Sequence, residues 1–184
     1  QALDLEGRAD PSFTLERYEE IIRKKTGRYL ALGWVGAALI AGWEPERARA
    51  FWAVGDHLGP AFQIRDDLLD LTTGKGRGGE VGCDIREGKP SILFAHALCS
   101  ADLEEKQRCR LLEILGRPRD ETGPDDVAWV IELYRLLGSL EFAAQEARRR
   151  AARGIDAFCS LEGIPAAGAR PIEEIAAYLS ERGA

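Results

Sequence analysis

From residue 15 to the tail of the chain, apolar side chains recur at three- and four-residue spacings. No stretch alternates with the two-residue period of a half-buried strand. That pattern restricts the chain to an all-α fold before any motif is considered. Residues 15–41 read as one helix, with Thr14 as its N-cap and Arg17 where a capping box would place glutamate. Residues 45–71 read as a second long helix or a helix pair. Helices follow over 91–101 and 103–115, GRPRDETG at 116–123 is a turn, and Pro124 opens the next helix. The stretch 126–161, rich in Ala, Leu, Glu and Arg, favours long helices, and Pro171 marks a further helix start. The clearest break is TTGKGRGGEVG, residues 72–82, with five glycines. There is no repeat and no low-complexity segment. The expected architecture is a bundle of long helices, with residues 1–184 belonging to a single domain.

Composition narrows the classes of function. A chain of 184 residues that is 45% hydrophobic can bury one sizeable core. A net charge of −6 argues against a nucleic-acid or anionic-membrane surface. Cys83, Cys99, Cys109 and Cys159 show no CxxC pairing and no histidine-rich surroundings, so they read as reduced thiols of a cytoplasmic protein. The longest apolar run, LALGWVGAALIAGW at 30–43, is too short to cross a bilayer. Neither a transmembrane segment nor a signal peptide is expected. The chain contains no methionine, and the expectation is that it is part of a longer protein.

AFQIRDDLLD, residues 61–70, places three carboxylates in an apolar helical run. At roughly 100° per residue, Phe62, Gln63, Asp66, Asp67 and Asp70 fall within an arc of about 140°, while Ile64, Leu68 and Leu71 point elsewhere. Clustered carboxylates are costly unless a cation neutralises them, and an all-oxygen set suits Mg²⁺ bridging carboxylates to substrate phosphates. A solvated acidic face is the alternative on this stretch alone. The segment GCDIREGKPS, residues 82–91, then supplies Asp84, Arg86 and Lys89 after the glycine loop. Glycines let backbone close over a ligand, and lysine offers a point charge for phosphate. Upstream, RKKTGRYLALG at 23–33 puts Lys25 on one stripe with Ile21, Ile22, Tyr29 and Gly36. Lys25 either snorkels from that stripe or joins the Thr26 hydroxyl in holding a diphosphate. Acidic helix, lysines and glycine loop together describe a metal–diphosphate site. By contrast, His57 and His96 are isolated and read as structural. Arg148, Arg149, Arg150 and Arg153 read as a solvated face paired with glutamates, and Trp34, Trp43, Trp52 and Trp129 as helix-packing residues.

These segments, taken in order, resemble the C-terminal part of the trans-isoprenyl diphosphate synthases, the family of farnesyl and geranylgeranyl diphosphate synthases. QALDL at 1–5 is similar to the end of the family's Gly-Gln-x-x-Asp-Leu segment, and Lys25-Thr26-Gly27 to its diphosphate-binding Lys-Thr. GPAFQIRDDLLD at 59–70 resembles its second aspartate-rich motif, and DIREGKPS at 84–91 its Asp-x-x-x-Gly-Lys segment. The resemblance implies helices around a central prenyl cavity, beside which Trp34 would lie. It implies condensation of isopentenyl diphosphate with an allylic diphosphate, assisted by Mg²⁺. Asp66, Asp67 and Asp70 would serve the metal, Lys25, Thr26 and Lys89 would bind diphosphate, and Gln63 would stabilise or orient the cationic substrate. Phe62 would line the pocket and Asp84 would orient Lys89 or a metal-bound water. A homodimer is implied, with a heterodimer as the alternative.

Two departures stand out. The family's first aspartate-rich motif is missing from this chain, and its helices are expected to precede Gln1, so the fragment alone is expected to be inactive. Where many members carry Gly-Lys ahead of the Asp-x-x-x-Gly-Lys segment, this chain reads Gly79-Glu80, and Lys75 or Arg77 would have to substitute. A non-catalytic subunit of a heterodimeric synthase and a class I terpene cyclase are the alternatives. Lys25 and Lys89 favour elongation over cyclisation, because two diphosphate substrates require more cationic contacts.

Overall fold

A computed structural model describes residues 7–72, 80–164 and 166–181. Every regular element among them is helical, as the apolar period requires. The chain divides into two compact units, one formed by residues 1–21 and 66–144, the other by 22–65 and 145–184. Lys75, Arg77 and Gly79 lie outside the described residues, as does the 1–5 segment.

Helix α1 (Leu15–Ile22) starts at the expected cap, with the Arg17 N–H donating to Thr14 Oγ1 at 3.2 Å. The expected single helix over 15–41 is interrupted. Arg23–Gly27 forms a π turn, and α2 (Arg28–Ile40) resumes after it. A π turn accommodates one extra residue and so rotates the following helix by about 100°. The expected stripe is broken accordingly. Ile21 and Ile22 are buried, whereas Lys25 and Tyr29 are exposed, and the buried positions downstream are Gly27, Ala31, Val35 and Ala38.

Residues 45–71 resolve as a helix pair, α3 (Pro45–Ala48) and α4 (Phe51–Leu69). In the unit of residues 22–65 and 145–184, α4 meets the π turn backbone to backbone. A Cβ on Gly59 would lie 2.4 Å from Gly27 Cα, and one on Gly55 2.5 Å from the Gly27 carbonyl oxygen. Val35, Phe51, Val54, Leu58, Ala151 and Phe158 form the core there, with Trp34, Trp43 and Trp52 packed against it. The Trp34 and Trp43 rings lie 6.5 and 5.8 Å from Phe51, so these tryptophans pack helices as expected.

In the other unit, the glycine-containing segment 82–91 includes a one-turn helix, α5 (Cys83–Arg86), that the sequence pattern does not announce. Ser91 caps α6 (Ile92–Cys99) by accepting from the Phe94 N–H, and a Glu104–Gln107 capping box starts α7 (Glu105–Gly116). A 3₁₀ turn, Arg119–Glu121, leads to α8 (Pro124–Leu136), which has proline in its first turn. Phe94, Leu111, Ile114, Leu115, Val130 and Tyr134 are buried in this unit. His96 accepts a structural role: its Nδ1 lies 2.9 Å from Ser139 Oγ and its ring stacks on Phe142 at 4.3 Å.

Helices α9 (Ser139–Cys159) and α10 (Ala166–Glu181) complete the chain. Pro171 sits inside α10 rather than at its start, because the alanine-rich residues ahead of it extend the helix upstream. The basic face is only partly solvated. Arg149 and Arg150 both pair with the buried Glu146, and the Arg150 side chain retains 14% exposure.

Candidate active site

The structure splits the acidic face of α4. Phe62 and Asp66 are exposed, Gln63 and Asp67 are buried, and Asp70 is intermediate. Asp67 tolerates 1% exposure because donors surround it. Lys89 Nζ donates to its Oδ1 at 2.9 Å, the Tyr18 hydroxyl to its Oδ2 at 3.1 Å, and the Ile92 N–H to Oδ2 at 3.4 Å. Lys89 also donates to Asp84 Oδ2 at 2.5 Å, and the Asp84 N–H donates to Asp70 Oδ2 at 2.9 Å. Four of the expected site residues, Asp67, Asp70, Asp84 and Lys89, thus form one bonded network in the unit of residues 1–21 and 66–144.

Local backbone explains how Lys89 arrives there. Gly88 adopts φ +62°, and a Cβ on it would lie 2.1 Å from the Leu115 carbonyl oxygen, so glycine alone permits this turn. Arg8 bonds to the Leu115 and Arg117 carbonyls beside it. A cavity of about 10 Å³ is lined by Asp67, Asp84, Lys89, Ser91 and Tyr134.

Charge follows from these contacts. Burial alone would lower the Lys89 ammonium pKa, but the Asp67 and Asp84 carboxylates outweigh it and hold the group well above the usual lysine range. Burial pushes Asp84 up to about 6 even though Lys89 pulls it down. Asp70 is also raised by burial, against the Asp84 N–H and the Lys89 charge. Burial likewise pushes the Tyr134 phenol well above its ordinary range.

Asp66 lies in the same unit, whereas Lys25, Thr26, Phe62 and Gln63 belong to the other. Lys25 and Thr26 stand on the π turn, with Lys25 exposed and the Thr26 hydroxyl donating to Gln63 Oε1 at 3.3 Å. The Gly27–Gly55–Gly59 contact sets the distance between those two side chains. Phe62 is 49% exposed, a large apolar ring open to solvent.

Glu80 does not face a phosphate site unopposed. It pairs with Arg119 at 3.2 Å, and Arg119 also holds Glu87 at 2.6 Å. Sequence reasoning missed Tyr18, Tyr134 and Arg119, whose partners lie tens of positions away along the chain.

Among the described residues, no group of three or more acidic, histidine or cysteine side chains is already arranged around one metal position. Mg²⁺ seldom uses such a cage; it binds through one or two carboxylates, waters and substrate phosphates. Asp66 and Asp70, one turn apart on the acidic stretch, fit that demand. Asp67 presents oxygens that already accept protein donors.

The chain also matches known proteins in sequence and fold. The model of the polyprenyl synthetase family matches residues 1–134, and the chain belongs to that family. It is 34% identical over 166 residues to octaprenyl diphosphate synthase of Escherichia coli (strain K12), covering 90% of this chain and 50% of that protein. The crystal structure of geranylgeranyl pyrophosphate synthetase from Pyrococcus horikoshii Ot3 matches with a TM-score of 0.81 and 32% identity, over 100% of this chain and 54% of that one. Geranylgeranyl pyrophosphate synthase from Corynebacterium glutamicum, solved with isoprenyl diphosphate and magnesium, matches with a TM-score of 0.83 and 30% identity, over 100% and 51%. The chain therefore has the isoprenyl diphosphate synthase fold and spans about half the length of these relatives.

Proposed function

We propose that this chain carries the diphosphate-handling part of a prenyltransferase that condenses isopentenyl diphosphate with an allylic diphosphate, giving a longer trans-polyprenyl diphosphate and diphosphate. The observation that carries the reading is Lys89, kept charged by two carboxylates next to the Asp66–Asp70 pair. The names of the relatives, all diphosphate synthases, favour elongation over the cyclase reading. The two units are read as portions of one isoprenoid synthase domain.

Asp66 and Asp70 would hold Mg²⁺, with Asp67 behind them fixing Lys89. The metal, when bound, supplies positive charge that neutralises the diphosphate oxygens. Lys89 offers its remaining N–H to a diphosphate, and Asp84 orients it. Lys25 and the Thr26 hydroxyl provide a second cationic and polar contact for diphosphate. Loss of diphosphate breaks the allylic C–O bond, with its electron pair leaving on oxygen. The isopentenyl double bond then attacks the allylic carbon, a C–C bond forms, and a proton is lost from the isopentenyl unit. Gln63, held by Thr26, presents its amide dipole to the developing positive charge, and the Phe62 ring offers an apolar wall.

The family resemblance supports a cytoplasmic homodimer, with a heterodimer as the alternative. Among the described residues no helix is long and apolar enough to cross a membrane, and all four cysteines are free. Elongation of labelled isopentenyl diphosphate tests the reading. In the complete protein, Asp66→Ala should cut Mg²⁺-dependent turnover by about a hundredfold or more without changing helical content. Unchanged turnover would remove Asp66 from the metal site.

A further inference from the structure

We propose that Tyr18 is a positioning residue that aims Lys89 at the diphosphate by fixing Asp67, an inference that rests on the reading of Lys89 as a diphosphate contact. Tyr18 is 3% exposed and donates its hydroxyl to Asp67 Oδ2 at 3.1 Å. The Ile92 N–H approaches the same oxygen at 3.4 Å, beyond good amide geometry, so the phenol is the stronger of these two donors. The other oxygen, Oδ1, accepts Lys89. Fixing Oδ2 therefore fixes the plane of the carboxylate, and that plane dictates where Oδ1 receives the ammonium.

The ammonium has three N–H groups in a tetrahedral array. Asp67 holds one at 2.9 Å and Asp84 holds another at 2.5 Å. With two directions fixed, the third is fixed as well. Removing the phenol hydroxyl leaves the ring buried and the charges unchanged, but takes the shorter of the two contacts from Asp67 Oδ2 and loosens the carboxylate plane. The lysine then samples several directions, and binding a diphosphate must reorder it.

Tyr18→Phe tests this in two independent ways. In the ligand-free protein, ¹⁵N-lysine NMR should show a protected Lys89 ammonium signal, assigned by its loss in Lys89→Arg. That signal should broaden beyond detection in Tyr18→Phe while helical content stays at the wild-type value. In the elongation assay, KM for the allylic diphosphate should rise about tenfold while kcat stays within about twofold. In an Asp67→Asn background, the Tyr18 change should add nothing further to either readout. An unaltered ammonium signal overturns the proposal, as does a fall in kcat with KM unchanged. A Tyr18→Phe chain that fails to fold also overturns it, in favour of a purely structural tyrosine. If the complete wild-type protein turns over no diphosphate substrate yet the ammonium signal responds as stated, the elongation reading fails and the Tyr18–Lys89 linkage stands.

Discussion

At the scale of single residues, two partly buried titrating groups pull stability in opposite directions. Burial holds His96 below the usual imidazole range. The unfolded chain therefore takes up a proton near pH 6.5 that the folded chain resists, so the His96 contribution falls as pH drops through that value and below. Asp84 behaves inversely. With its carboxyl pushed up to about 6, the folded chain binds a proton before the unfolded one, and this favours folding as pH falls from 6 towards about 4. The two effects overlap, so the difference between variants is the informative quantity. Urea unfolding between about pH 5 and 8 should show His96→Gln losing less stability than the wild type on acidification. Equal slopes would show that His96 does not titrate differently on folding.

The residue types of the candidate site were legible as carboxylates at helical spacing, with lysines and glycines in order. Their division of labour was not. Asp66 and Asp67 are neighbours in sequence with the same side chain, yet one is exposed and the other is sealed by Lys89 and Tyr18. Nothing local distinguishes them, since Tyr18 lies 49 positions away. The pairing of Glu80 was not legible for the same reason, because its charge partner Arg119 is 39 positions distant.

At the scale of elements, the glycines of α2 and α4 separate into those that packing requires and those it does not. Gly59→Ala would drive a methyl group into the Gly27 backbone, which cannot yield as a side-chain tip can. A loss of about 2–4 kcal/mol is expected, read as a lower denaturation midpoint. Gly33 has nothing within 4 Å of an added Cβ. Gly33→Ala should instead stabilise by up to about 1 kcal/mol through helix propensity. If both changes moved stability the same way, the backbone contact would not be what holds these helices together. Helix existence was readable from the apolar period, whereas the π turn was not. RKKTG carries no proline, its Lys-Lys-Thr-Gly run would signal a helix end rather than a π turn, and the Gly27 contacts that accompany the turn come from Gly55 and Gly59 on another helix.

At the scale of the whole molecule, the chain spans about half the length of its relatives and leaves α2 apolar on more than one side. Tyr29, Leu32 and Ile40 are 80%, 58% and 91% exposed. Isolated exposed apolar residues are ordinary, but three on one helix form a patch. Replacing Leu32 and Ile40 together by glutamine should lower binding of a hydrophobic dye. Because neither side chain is buried, stability should shift by no more than about 0.5 kcal/mol each. A large loss of stability would mean that these side chains are covered in solution.

The π turn makes the length of this segment a packing variable. Losing one residue anywhere in Arg23–Gly27 would restore an ordinary helix and swing α2 by about 100° around its own axis. Gly27 would leave its seat against Gly55 and Gly59, and a bulkier neighbour would take its place. A single-codon deletion there would preserve the reading frame of the gene and still scramble the register of the protein. Many point substitutions at the same positions should be milder than that one deletion.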